Sequence, residues 1–131
     1  MPILPKGYAA SRPPSPDMIQ AGLSAESYLW LRDALVASDQ QLAQSLRIPM
    51  RTLQRRLAKD RFSAEESDRL ARLERIFKAA VSTLGDVASA REWMLTPNPS
   101  LNFKTPLELT ATDTGSVEVE RLLVRIEYGV F

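Results

Sequence analysis

Arg51, Thr52, Gln54, Arg55, Arg56 and Lys59 crowd one short stretch of the chain. These side chains suit hydrogen bonding to nucleic acid. An arginine fork pairs with guanine O6 and N7, a glutamine with adenine N6 and N7, and any of the cations can meet a phosphate. The charge around them is concentrated. From Arg47 to Arg61 there are six basic residues against Asp60 alone, a local excess of +5 in a chain whose formal charge is only +1. Such an asymmetry bears on partners, here a polyanion. The segment from Pro97 to Phe131 sums to −2 and would be a poor place to put one.

Bond-making chemistry is hard to assemble from the remaining residues. The 131-residue chain has no histidine and no cysteine. That removes the commonest general base, the Ser-His-Asp and Cys-His arrangements, disulfides, and zinc sites built on imidazole or thiolate. The glycines at 7, 22, 85, 115 and 129 are scattered and build no phosphate-cradling loop. Glu65 and Glu66 are adjacent at a helix start, where they complement the dipole. No spacing argues for Ser-Lys catalysis. The chain is therefore expected not to be an enzyme and to need no metal or cofactor.

The composition, 44% hydrophobic and 25% charged, is that of an ordinary globular protein. No apolar run approaches the roughly 20 residues that cross a membrane. Met1 to Gly7 does not look like a signal peptide. No membrane association is expected, and the expected compartment is the cytoplasm.

Periodicity then supplies the elements. Five of the nine prolines fall in residues 1–16, so residues 1–22 are expected to form a flexible leader. Ile3, Leu4 and Tyr8 would be its contacts if it docked on a partner. Ser24 precedes a helix with Tyr28, Leu31 and Leu35 on one face. Ser38 with Gln41 is a capping box, followed by Leu42, Ala43 and Leu46. A helix from about Met50 to Lys59 carries Leu53 and Leu57. Ser63 with Glu66 is a second box, opening a long amphipathic run through Leu70, Leu73, Phe77, Ala80, Val81 and Leu84 that Gly85 ends. Asp86 caps a helix with Val87, Ala90, Trp93 and Met94, closed by Pro97 and Pro99. Thr105 to Glu108 is a third box. A last helix begins near Ser116 and buries Val119, Leu122, Leu123 and Ile126. The expectation is an all-α protein of about seven helices, divided into a helix-turn-helix region over 23–62, with a candidate dimerisation helix, and a second helical domain over 63–131.

Residues 38–59 carry the helix-turn-helix pattern: two short helices, a tight turn, a basic second helix, and small Ala43 where the axes approach. A basic run is also what the solvated face of any helix looks like. The small residue, the apolar spacing and the charge together favour DNA. Two positions depart from the motif. Arg47 stands where glycine is common, at about 1 kcal/mol if the turn keeps φ > 0. Pro49 stands where a capping serine or threonine is common. In the second half, Trp93, Phe103 and Phe131 can be core. Phe131 beside Val130 at a terminus, where chains usually fray, can equally contact a partner.

Arg51-Thr52-Leu53-Gln54-Arg55-Arg56-Leu57 with Phe62-Ser63-Ala64-Glu65-Glu66-Ser67-Asp68-Arg69-Leu70 resembles the DNA-binding core of Xre-like antitoxins from bacterial RES–Xre toxin–antitoxin systems, the ParS/MbcA-like group. Ala90-Arg91-Glu92-Trp93-Met94, Pro97-Asn98, Leu101, Thr105 to Leu109, Gly115 and Arg125 to Phe131 look like that family's toxin-binding domain. The resemblance runs from about Ser38 to Phe131 and leaves the first 25 residues out. It implies a protein that binds a NAD-consuming RES-type toxin, obstructs its active-site cleft, and represses its own operon at operator DNA. It also implies a homodimer and larger toxin–antitoxin complexes. DNA contacts would fall to Arg51, Thr52, Gln54, Arg55, Arg56 and Lys59. Toxin contacts would fall to Trp93, Asn98, Leu101, Phe103, Glu127, Tyr128, Gly129, Val130 and Phe131, with the aromatic tail able to fill an adenine or nicotinamide pocket. The family often has Gly-Gly near Asn102-Phe103, Leu or Met after Trp93, and Glu in place of Asp113. The first departure bears on the shape of that loop. A helix-turn-helix regulator whose second half dimerises or binds a small ligand is the alternative; a DNA-targeted enzyme is a third.

Overall fold

The computed structural model describes residues 13–129. Among these residues eight helices follow one another: α1 Pro16–Ala21, α2 Ala25–Leu35, α3 Asp39–Leu46, α4 Met50–Lys59, α5 Ala64–Leu84, α6 Val87–Leu95, α7 Pro106–Leu109 and α8 Asp113–Glu127, with a 3₁₀ turn at Pro99–Leu101. Among the described residues the all-α expectation holds, and the only strand-like pairing is an isolated bridge between Asn98 and Lys104.

Six of these eight helices start at a capping side chain; α2, behind Ser24, and α4, behind Pro49, have no side-chain cap. Ser38 and Ser63 both form complete capping boxes, with Gln41 and Glu66 as the reciprocal partners. Asp86 accepts from the Ser89 N–H at 2.7 Å and Thr105 from the Glu108 N–H at 3.1 Å. These bonds satisfy donors that a helix start leaves unpaired.

Two boundaries differ from the expectation. Pro16–Ala21 is helical, although it lies within the segment expected to be a flexible leader. Ser15 caps it and Pro16 takes the first helical position, where its missing N–H is harmless. The helix lies against α5. Residues 1–12, including Ile3, Leu4 and Tyr8, are outside the described residues. The last helix begins at Asp113, not near Ser116, because Thr112 caps it by accepting from the Gly115 N–H at 2.9 Å. Gly115, within the first turn of α8, serves close packing. A Cβ there would lie 2.1 Å from the Leu109 carbonyl oxygen.

The 21-residue α5 is the spine, about 32 Å long at 1.5 Å per residue. Leu70, Leu73, Ile76, Phe77 and Ala80 are buried along it. One hydrophobic cluster surrounds that face. It takes Tyr28, Leu31, Leu35, Leu42, Leu46 and Leu53 from α2, α3 and α4 and Ala90, Met94, Leu107, Val119, Leu122 and Leu123 from the last three. Long-range polar ties cross the same seam. Ser45 on α3 meets Thr110 Oγ1 at 2.6 Å and the Leu107 carbonyl at 3.1 Å, all buried. Arg69 Nε donates to the Leu46 carbonyl at 2.7 Å, Arg72 to the Thr110 carbonyl at 3.1 Å, and Arg91 to the Ala34 carbonyl at 3.0 Å. The basic helix is thus held on the same packed body as the acidic C-terminal segment.

Candidate functional site

The turn between α3 and α4 sets the pose of the basic helix. Arg47 adopts φ 56°, the left-handed conformation that glycine would take without strain. The Ile48 N–H reaches back to the Ala43 carbonyl at 2.9 Å, closing the helix end. Ile48 and Ala43 are buried, and Leu53 anchors α4 from beneath with none of its surface exposed. Leu57, expected as core, is only half-buried and packs at the cluster's edge.

That anchoring turns Arg51, Gln54 and Arg55 outward on one face, with Lys59 exposed at the helix end and Thr52 half-buried. Arg56 does not join them. Its Nε lies 2.8 Å from Glu66 Oε1 and its Nη2 3.3 Å from Oε2. Glu66 Oε1 also accepts from the Ser63 N–H at 2.8 Å. Burial by itself would raise the Glu66 pKa, but the Arg56 and Ser63 hydrogen bonds outweigh it and hold the carboxyl below its ordinary value. Arg56 therefore fixes α4 to α5.

Sequence reasoning missed part of this face. A shallow groove between α3 and α4 is lined by Gln40, Gln44, Arg47 and Met50 with Ala43, Ile48 and Pro49. Gln40 and Gln44 lie one helical turn apart, opposite the buried Leu42 and Leu46, a signal present in the sequence. A second clamp orients α3. Tyr28 Oη donates to Asp39 Oδ1, and Arg32 Nη1 reaches the same oxygen at 3.2 Å. Burial, and then the Asp39 carboxylate, push the Tyr28 phenol up; the Tyr28 hydrogen bond holds Asp39 down.

The C-terminal candidates divide into two sets. Trp93 is half-buried and packs on the core. Leu101 is buried at 5% exposure. Asn98 shapes the loop: its side chain accepts from the Ser100 N–H at 2.9 Å, and its backbone pairs with Lys104. Phe103, at 71% exposure, and Tyr128, at 76%, face solvent, as do Glu127 and Gly129. Val130 and Phe131 lie outside the described residues. Sequence reasoning missed Val117, Arg121 and Val124. They share the outward face of α8 with Tyr128 and, with Ser100, Leu101 and Asn102, line the groove between this helix and the 3₁₀ turn. Their 117–121–124–128 spacing was the readable signal, complementary to buried Val119, Leu122 and Leu123.

Both surfaces are equipped for recognition, one through cationic hydrogen-bond donors and the other through exposed rings and aliphatic side chains. Among the described residues, no cluster of three or more acidic side chains could hold a metal ion, and no helix is long and apolar enough to cross a membrane.

Residues 16–75 match the family described as the antitoxin Xre-like helix-turn-helix domain, and residues 79–129 match the antitoxin Xre/MbcA/ParS C-terminal toxin-binding domain. The first match takes in α1 and α2, which lie outside the stretch from about Ser38 that carried the sequence resemblance. The chain is 46% identical over 86 residues to an Antitoxin Xre of Yersinia enterocolitica, covering 64% of this chain and 58% of the relative. It is 38% identical over 85 residues to an Antitoxin Xre of Photorhabdus laumondii, covering 63% of this chain and 57% of that protein. It is 34% identical over 83 residues to an Antitoxin Xre of Pseudomonas putida, covering 63% and 52%. The alignments thus span a little over half the length of these relatives.

Proposed function

Since this chain belongs to the Xre/MbcA/ParS antitoxin family, with a helix-turn-helix domain followed by a toxin-binding domain, we propose that it neutralises a cognate NAD-consuming toxin of RES type and represses its own operon. The outward Arg51, Gln54 and Arg55 read operator DNA, and Thr52 and Lys59 meet the backbone. The C-terminal half covers the toxin's active-site cleft. A cleft that accepts anionic NAD should be electropositive, and the net −2 of residues 97–131 is complementary to it. The protein acts in the cytoplasm as a homodimer, within a larger toxin complex, and the body divides at about residue 62 into its two binding regions.

The observation that carries this reading is the presentation of Arg51, Gln54 and Arg55 on the free face of a helix whose other face is fixed to the body through buried Leu53 and the Arg56–Glu66 pair. Co-expression with the protein encoded by the neighbouring gene is the direct test. Cells should regain growth and NAD, and deletion of Val130 and Phe131 should weaken the rescue. Continued NAD loss in the presence of the intact chain would refute the proposal.

A further inference from the structure

The loop after α6 presents an aromatic side chain in a strained backbone conformation. Asn102 and Phe103 are consecutive residues at positive φ, 56° and 63°. Asparagine visits this region readily, whereas a bulky phenylalanine seldom does. The loop is braced in that shape. The Asn98 N–H donates to the Lys104 carbonyl at 3.0 Å, the Phe103 N–H to the Asn98 carbonyl at 2.9 Å, and the Lys104 N–H to the Leu101 carbonyl at 3.1 Å. Buried Leu101 fastens the loop to the core. The Phe103 ring nevertheless remains 71% exposed. A side chain that strains its backbone and gains little burial is a poor device for stability, and strain of this kind is a pointer to function.

Asn102, its neighbour, lines the groove beside α8. Across that groove Val117, Val124 and Tyr128 are 36%, 53% and 76% exposed on one helix face. Building on the toxin-binding role proposed above, we propose that Phe103 is a preformed anchor. With Val117, Val124 and Tyr128 it forms the docking surface for the cognate toxin, and its ring enters an apolar recess on that protein. The surface lies wholly within residues 79–129, which match a toxin-binding domain. Glu118, Arg121 and Arg125 at the groove give it a rim of both signs, suited to a folded protein and not to a polyanion. A braced loop also loses little conformational freedom on association, and an aromatic ring seated centrally is the usual form of a binding hot spot.

The test uses the full chain and the purified protein encoded by the neighbouring gene. Phe103→Gly and Phe103→Asn both suit positive φ, so each should keep or raise the melting temperature while weakening toxin binding at least about tenfold. Val124→Lys should weaken binding similarly and leave DNA affinity unchanged. Wild-type affinity in both Phe103 variants would overturn the anchor while leaving the toxin-binding role intact. Absence of binding by the unaltered chain would overturn both. A sharp fall in melting temperature would make Phe103 structural and overturn the proposal. So would a dimer of this chain that Phe103→Asn dissolves without changing toxin affinity, because the patch would then belong to a second copy.

Discussion

Arg56 and Glu66 form a two-bonded ion pair, Nε to Oε1 at 2.8 Å and Nη2 to Oε2 at 3.3 Å, across the junction of α4 and α5. The same carboxylate completes the Ser63 capping box. One side chain therefore both starts α5 and fixes the angle at which the basic helix leaves the body. The pair is well shielded, with side-chain exposures of 27% and 10%, so its loss should matter more than that of a surface pair.

Arg56→Ala should destabilise the chain by about 1–3 kcal/mol, since Glu66 keeps its charge but loses its main partner. Urea unfolding followed by circular dichroism would measure it. DNA affinity should fall too, through lost pose, with little change in salt dependence. Unchanged stability would mean that Arg56 is free to meet DNA after all.

Arg51→Ala with Arg55→Ala should behave in the opposite way. Both side chains are exposed, so stability should change by no more than about 0.5 kcal/mol. Each phosphate contact contributes about 0.9 to the slope of log affinity against log salt, so the double variant should flatten that slope by up to about 2. Fluorescence anisotropy with DNA from upstream of the gene, titrated across salt concentrations, would read it. An unaltered slope would remove these two arginines from the phosphate contacts.

Those opposite expectations for Arg55 and Arg56 show where the sequence was legible and where it was not. Helix starts at Ser38, Ser63, Asp86 and Thr105 are written in local chemistry, and each appears where the capping residue predicts it. The inward faces follow from spacing, as Leu70, Leu73 and Phe77 illustrate. Arg55 and Arg56 look alike in a list of basic residues. Only the Cα trace of α5 passing beside α4 decides that one meets Glu66 and the other meets solvent. Gly115 is a different case: its role depends on the Leu109 carbonyl six residues earlier, brought close by the path of the turn between α7 and α8. Val117 and Val124 are legible from the spacing of α8, on the face opposite Val119, Leu122 and Leu123.

Arg47→Gly should stabilise the fold and weaken DNA binding together. The left-handed turn at φ 56° costs a residue with a Cβ about 1–2 kcal/mol, of which glycine's greater unfolded-state freedom returns part. A net gain of about 0.5–1 kcal/mol is expected in thermal unfolding. Arg47 is also an exposed cation beside the groove between α3 and α4, so its removal should lower the salt slope by up to about 1. A loss of stability would show that its side chain, not its backbone, holds the turn.

Glu66 makes the fold acid-sensitive in a defined window. Its folded pKa is held below the ordinary 4.5, so the folded state binds fewer protons than the unfolded chain. The stabilisation is therefore complete well above pH 4.5 and is lost as pH falls through the lower folded value. Asp39, held below 3.8 by Tyr28 and Arg32, acts in the same direction at lower pH. Glu66→Gln separates charge from capping, because Gln41 already completes the equivalent box at Ser38. At pH 7 the variant should be less stable by about 1–2 kcal/mol, through weakened bonding to Arg56. Below pH 4.5 the two stability curves should converge, since the wild-type carboxylate is being neutralised. Parallel curves from pH 7 to pH 3 would show that the ion pair does not set the acid limb, and would shift that role to Asp39 and the clamp on α3.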